Sequence, residues 1–326
     1  MNRRENMLAI YGHQPHDHVG NYLTDVCGTG NNLETFDSGP LGGGLDGFGV
    51  RWEGTVSALG AGVPAPDSAV LEDVCDWKKV VKFPRLSEYD WEGQAKAQLE
   101  NYDPVNQIQE YGMWNGQFLR LMHLMGFENG LISFVTEPEA CAGLLSAITD
   151  YRIECAEYAV KYFKPDSICL FDDFATEIGL FISPDTYRSL IMPEHKRFFD
   201  AVRSLGVIPV MHVCGKCEDV VPGFIDEGID AWQVCQPEND LAGLQGQLGD
   251  KLAFVGGYDM KGKLAYTDPT EKELRASVRD TIDAYAPGGN YAIMAMIMYS
   301  DPNKFLESTA ILSDEAVKYG TDYYAK

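Results

Sequence analysis

The most chemically pointed stretch of this sequence is His212-Val213-Cys214-Gly215. On an extended segment side chains alternate with a period of two, so imidazole and thiol emerge on the same side. Both are good zinc ligands, and the thiolate is the softer of the two. Gly215 lets the chain turn sharply straight afterwards. Alone, the pattern is also what a hydrogen-bonded histidine beside a small buried thiol would give. Other chemically capable residues stand at equivalent points. Asp172 and Asp173 follow the apolar run Ser167 to Phe171, Cys235 closes Ala231 to Cys235, and Tyr258 and Asp259 follow Leu252 to Val255.

These apolar runs define the elements that would position such a set. Strands are predicted at Val19 to Leu23, Gln107 to Met113, Ser167 to Phe171, Val207 to Val213, Ala231 to Cys235, Leu252 to Val255 and Tyr291 to Ile297. They are nearly continuous apolar runs, as expected for parallel strands covered by helices. An eighth is ambiguous, with Leu131 to Val135 as strand or helix end. Helical spacing covers Pro138 to about Phe163, Pro184 to Leu205 with a break or kink at Pro193, and Glu271 to Tyr285. Alternation of short strands with longer helices predicts an α/β protein. In a (β/α)₈ TIM barrel, strand ends of one sense meet at a single mouth where active sites form. The expectation is one barrel domain over residues 1–326. Residues 25–105, which hold Gly42-Gly43-Gly44, Pro64, Pro66 and Pro84, read as long loops with one or two short helices.

Composition narrows the partners. The chain has 326 residues and a formal net charge of -23, which argues against nucleic acid as a partner. No uninterrupted apolar run approaches the ~18 residues that would span a membrane. No apolar run follows Met1 to Asn6, so a signal peptide is not expected. The eight cysteines are then expected to be reduced thiols in a cytoplasmic protein. Self-association as a homodimer is left open.

Several motifs resemble the uroporphyrinogen decarboxylase superfamily. They are Arg3-Arg4-Glu5-Asn6 through His16-Asp17-His18-Val19, Asp46-Gly47-Phe48-Gly49-Val50, Phe171-Asp172-Asp173, Ile182-Ser183-Pro184, Gly206 to Gly215, Val255-Gly256-Gly257-Tyr258-Asp259 and Pro287-Gly288-Gly289-Asn290-Tyr291. The resemblance implies the barrel fold and a choice of two branches. Decarboxylases of the family carry an arginine-bearing substrate loop, where this chain has His18-Val19-Gly20-Asn21-Tyr22. A substrate with many carboxylates would lack its bidentate partners there. The other branch serves corrinoid-dependent methyl transfer, and in it the His and Cys matching His212 and Cys214 bind zinc.

The sequence departs from the thiol-methylating members of that branch, which carry a further zinc cysteine in the last strand. Here that region reads Tyr291-Ala292-Ile293-Met294-Ala295-Met296-Ile297-Met298. A different third ligand is needed, from Cys235, Glu177, Cys217 or one of Asp172 and Asp173. The departure favours the members that demethylate methoxylated compounds and pass the methyl group to a corrinoid protein. The chain has no corrinoid-binding Asp-x-His-x-x-Gly motif, so a partner corrinoid protein would bring the cobamide. Asp172, Asp173 and Glu177 are the candidate catalytic carboxylates. Trp114, Phe174 and Tyr258, with Trp52 and Tyr299, are candidates for lining an aromatic pocket, and the methionines suit an adaptable apolar wall. The alternatives are methylcobalamin-dependent transfer to a thiol or tetrahydrofolate, a decarboxylase-like lyase using Asp172 or Asp173, or a binding protein on the same barrel.

Overall fold

The apolar runs form the staves of a ring. The computed structural model describes residues 1–30, 39, 42–54 and 62–325. Eight parallel strands are numbered here in chain order: β1 Gly20–Asn21, β2 Val26–Thr29, β3 Ile108–Met113, β4 Ser167–Phe171, β5 Ile208–His212, β6 Ala231–Cys235, β7 Ala253–Gly256 and β8 Tyr291–Ile293. Each pairs with its neighbour in sequence from β2 to β8, and β8 pairs back to β1. Among the described residues the one seam lies between β1 and β2, which the helical turn Tyr22–Asp25 joins. The fold is therefore an α/β (β/α)₈ barrel.

Two cores hold it. Met7, Ile10 and Tyr11 of the helix Arg3–Tyr11 pack against inward residues such as Ile108, Val210 and Val255, filling the barrel interior below the mouth. The larger core lies between the strands and the outer helices, which include Pro138–Phe163 and Glu271–Tyr285 with the predicted bounds. Among the described residues no single helix is long and apolar enough to cross a membrane.

Several expectations need correction. Of the two readings of Leu131 to Val135 the helix end is the one observed, within Phe127–Thr136, and the eighth strand is instead Val26–Thr29, in a region expected to be loop. Of Val19 to Leu23 only Gly20–Asn21 is strand. The Asn21 side chain caps the following turn by accepting from the Leu23 N–H, which ends the strand. Pro193 does not end its helix. The segment adapts upstream with a π-helical turn at Tyr187–Ile191, before the helix Met192–Ser204. A wider turn there is a way to accommodate a ring that clashes with the carbonyl four residues earlier.

The described residues between 25 and 105 hold more regular structure than loops. Besides β2 and short helices, they contribute a three-stranded antiparallel sheet, Gly43–Leu45, Arg51–Gly54 and Gly62–Pro64. Asp46 anchors it to the barrel. Its carboxylate accepts from the Phe48 and Val50 N–H groups, from Trp52 Nε1 at 3.1 Å and from Arg120 at 2.7 Å, and both charged side chains are fully buried. Trp52 is thereby part of this anchor.

Candidate metal centre at the barrel mouth

The strand pairing sets the site. His212 ends β5, in register with Phe171 on one side and Gln233 on the other. The Phe171 ring stacks on the imidazole, with centroids 4.2 Å apart, and Trp114 stacks on the far face of Phe171 at 4.1 Å. Gln233 meets the ring edge, its Oε1 lying 3.3 Å from His212 Nδ1. The imidazole is held by face and by edge, with Nε2 left pointing at Cys214 Sγ, 3.4 Å away.

Period-two alternation then brings a third donor. Phe171 and Asp173 face the barrel mouth, as do His212 and Cys214, while Asp172 and Val213 point the other way and are fully buried. The Asp173 carboxylate accepts the Cys214 N–H at 2.7 Å. One carboxylate oxygen, one ring nitrogen and one sulfur of Asp173, His212 and Cys214 all lie within 4.8 Å of one another. Two ligands of a tetrahedral zinc stand about 3.5 Å apart, so this donor set fits zinc with little movement and leaves a fourth position for another ligand. Burial, with the Asp173 charge beside it, pushes the Cys214 thiol well above its ordinary value. Burial likewise lowers the His212 pKa and so favours the neutral ring that a metal needs.

The three donors open onto a cavity of about 620 Å³. Trp114 and Phe171 form part of its wall, and Met260, Met294, Met296 and Met298 another. The last three again alternate, with Ala295 and Ile297 buried between them. Lys261 stands in the lining, its ammonium paired with exposed Glu177 at 2.7 Å and its pKa raised by that pairing. Deeper in the barrel lie Tyr22 and Glu110.

Of the residues singled out in the sequence, the structure brings together Asp173, His212, Cys214 and Trp114, with Met294, Met296 and Met298 of the expected apolar wall. The others stand elsewhere. Asp172 is buried behind the strand, bound to His195 at 2.8 Å and to the N–H groups of Phe118 and Leu119. Phe174 is buried against Tyr187. Glu177 sits exposed on the hairpin Ala175–Leu180, where its partner is Lys261. The Tyr258 hydroxyl meets Ser277 Oγ at 2.9 Å, and the Tyr299 hydroxyl donates to the Leu264 carbonyl. Cys217 is buried, its N–H held by Asn239. Cys235 is fully buried with its thiol toward the Trp232 carbonyl, outside the donor cluster. The register shifts between Gln233 and Cys235, so Val234 and Gln236 line the cavity and the cysteine does not.

Sequence reasoning missed Glu110, Gln233, Tyr22 and Phe171. A glutamate inside an apolar strand such as Ile108–Met113 is a usable signal, because carboxylates are rarely fully buried without partners.

Gly215 fixes the loop that carries Cys214. It has φ +91°, and a Cβ there would lie 2.5 Å from the Thr176 carbonyl oxygen. Gly215→Ala is expected to cost about 1–3 kcal/mol and to loosen metal binding by displacing Cys214 from Asp173. Thermal melting and zinc retention after desalting check this, and parent-like values in both would refute the role assigned to the turn.

A (β/α)₈ barrel with a cysteine, a histidine and a carboxylate meeting at the C-terminal mouth is a class of enzyme architecture. The sequence pattern of the uroporphyrinogen decarboxylase (URO-D) family matches residues 107–311, and the chain belongs to that family. It is 28% identical over 115 residues to the methylcobamide:CoM methyltransferase MtaA of Methanosarcina barkeri, a stretch covering 35% of this chain and 33% of that protein. It is 26% identical over 110 residues to the methylated-thiol–coenzyme M methyltransferase of Methanosarcina mazei, covering 34% and 28%. The match thus spans about a third of the length of these curated relatives. A methyltransferase structure from Methanosarcina mazei shares the fold along 98% of this chain and 99% of that one, with a TM-score of 0.67 and 16% identity.

Proposed function

We propose that this chain is a corrinoid-dependent methyltransferase. It moves a methyl group from a methoxylated, aromatic small molecule to the cobalt of a cobamide held by a separate corrinoid protein. The observation that carries this reading is the convergence of Asp173, His212 and Cys214 on one cavity walled by stacked aromatic rings and methionines. The names of the curated relatives support the methyltransferase class.

Zinc held by the three donors would act as a Lewis acid on the ether oxygen, easing departure of the phenolate as the methyl carbon is taken. The protein's own residues do the rest. Trp114 and Phe171 offer faces on which an arene can stack. The four methionines mould to the substituents opposite. Asp173, besides its donor oxygen, holds the Cys214 backbone in place.

Two rival chemistries are weaker. A Cys214–His212 nucleophilic pair needs a thiol made acidic, whereas burial and Asp173 push this one the other way. A lyase using Asp172 or Asp173 as acid–base needs a free carboxylate in the cavity; Asp172 is buried behind the strand, and Asp173 is engaged with the Cys214 N–H and the donor cluster. Methyl transfer to a thiol remains a serious second reading, because both curated relatives are named for coenzyme M chemistry.

The test mixes zinc-loaded protein, a reduced corrinoid protein and a panel of methoxyarenes, methanol and methylamines, and follows corrinoid methylation by its visible spectrum. Methylation is expected only when protein and a methoxyarene are both present. With a net charge of -23, turnover should fall as salt rises if the partner presents positive patches. Failure with every donor, together with rapid loss of methyl from the corrinoid to a thiol, would reverse the direction.

A further inference from the structure

Glu110 is fully buried in β3, and the zinc reading gives it no role. Its carboxylate is surrounded by donors drawn from four other segments. Oε1 accepts from the Tyr22 hydroxyl at 2.8 Å and from Gln233 Nε2 at 2.7 Å. Oε2 accepts from Ser167 Oγ at 3.0 Å and from the Tyr11 hydroxyl at 3.4 Å. Strand pairing explains part of this, since Glu110 is in register with Ser167.

The contact with Gln233 has a directional consequence. A primary amide has one donating and one accepting end. Glu110 takes the donating end, so Gln233 must turn its oxygen toward His212, where Oε1 lies 3.3 Å from Nδ1. An amide oxygen carries no proton, so the contact is a hydrogen bond only when Nδ1 bears one. In the neutral ring the lone pair is then on Nε2, the atom 3.4 Å from Cys214 Sγ. Phe171 fixes the plane of the same ring. If Gln233 were free to flip, its amide nitrogen could donate to Nδ1 and the proton would move to Nε2, closing that nitrogen to a metal.

We propose that Glu110 and Gln233 are positioning residues that choose the His212 tautomer and keep Nε2 open as a metal donor. This rests on the zinc reading of Asp173, His212 and Cys214. Partners of this kind behind a ligating histidine typically change metal affinity by ~10–100-fold when removed.

Two measurements test it. Nitrogen NMR of ¹⁵N-histidine-labelled, metal-free parent protein, with the signal assigned by its loss in His212→Ala, is expected to show Nδ1 protonated and Nε2 not. A proton on Nε2 would overturn the proposal without need of any other variant. Zinc affinity, measured by competition with a chromophoric chelator, is expected to weaken by ~10–100-fold in Gln233→Leu and by ~10-fold in Glu110→Gln. Cobalt(II) in the same site should give a changed visible spectrum in Gln233→Leu. Folded variants that bind zinc within twofold of the parent, with an unchanged cobalt spectrum, would refute the relay while leaving the zinc site standing. A parent that binds neither zinc nor cobalt would bring down the zinc reading and this proposal together.

Discussion

Cys214→Ala and His212→Ala are each expected to reduce zinc from about one ion per chain to a trace, and to slow methyl transfer by at least ~100-fold. The reason is the small number of donors. Three side chains of the described residues meet at the mouth, so losing one leaves only two. Asp173→Asn should be milder. Its amide oxygen can still accept the Cys214 N–H that now runs to Asp173 at 2.7 Å, while the anionic donor is lost. Elemental analysis after zinc loading and desalting reads the first effect, and the corrinoid assay reads the second. Full zinc occupancy in Cys214→Ala would remove the basis for any Lewis-acid role at this mouth.

Much of this centre is legible in the sequence because period two and strand burial are local. Strands buried on both faces read as apolar runs, and six of the eight were visible at 108–113, 167–171, 208–212, 231–235, 253–256 and 291–293. The alternation that puts His212 and Cys214 on one face also separates Asp172 from Asp173, so one carboxylate joins the donors and the other turns away. What was not legible depends on pairing. Val26–Thr29 is four residues beside a glycine- and asparagine-rich stretch, with no apolar run to mark it. Leu131 to Val135 is as apolar as a strand, and a run of that length does not distinguish strand from helix. The Cys235 thiol turns away because the ladder to the next strand shifts register at that point, a property of two strands and not of one. Glu110 collects donors from positions 11, 22, 167 and 233, a grouping that exists only once the ring has closed.

Asp172 leads to the second large effect, on stability. Behind the strand, His195 lies fully buried between two carboxylates, with Nε2 2.8 Å from Asp172 and Nδ1 3.2 Å from Glu227. The Tyr187 hydroxyl donates to the same Glu227 carboxylate. Asp172 also accepts two N–H groups from the first turn of the helix Gln117–Met125, so this cluster ties that helix to β4 and to the helix Met192–Ser204. Burial alone would lower the His195 pKa, but the hydrogen bonds and charges of the two carboxylates prevail and raise it to about 9. The folded value lies above the ordinary ~6.5 of a histidine in an unfolded chain. The stabilisation is therefore fully present below about pH 6.5 and is lost as pH rises through about 9, an effect on the order of 3 kcal/mol. His195→Leu leaves the carboxylates without their cation and is expected to destabilise the protein by about 3–5 kcal/mol at pH 6. Urea unfolding of metal-free parent and variant at pH 6, 8 and 10 measures both. The gap between the two proteins should narrow as pH rises, because the parent loses what the variant never had. Zinc per folded chain should stay at the parent's value, since His195 lies outside the donor cluster. Stability curves that run parallel from pH 6 to pH 10 would show that His195 is not held as a cation by Asp172 and Glu227.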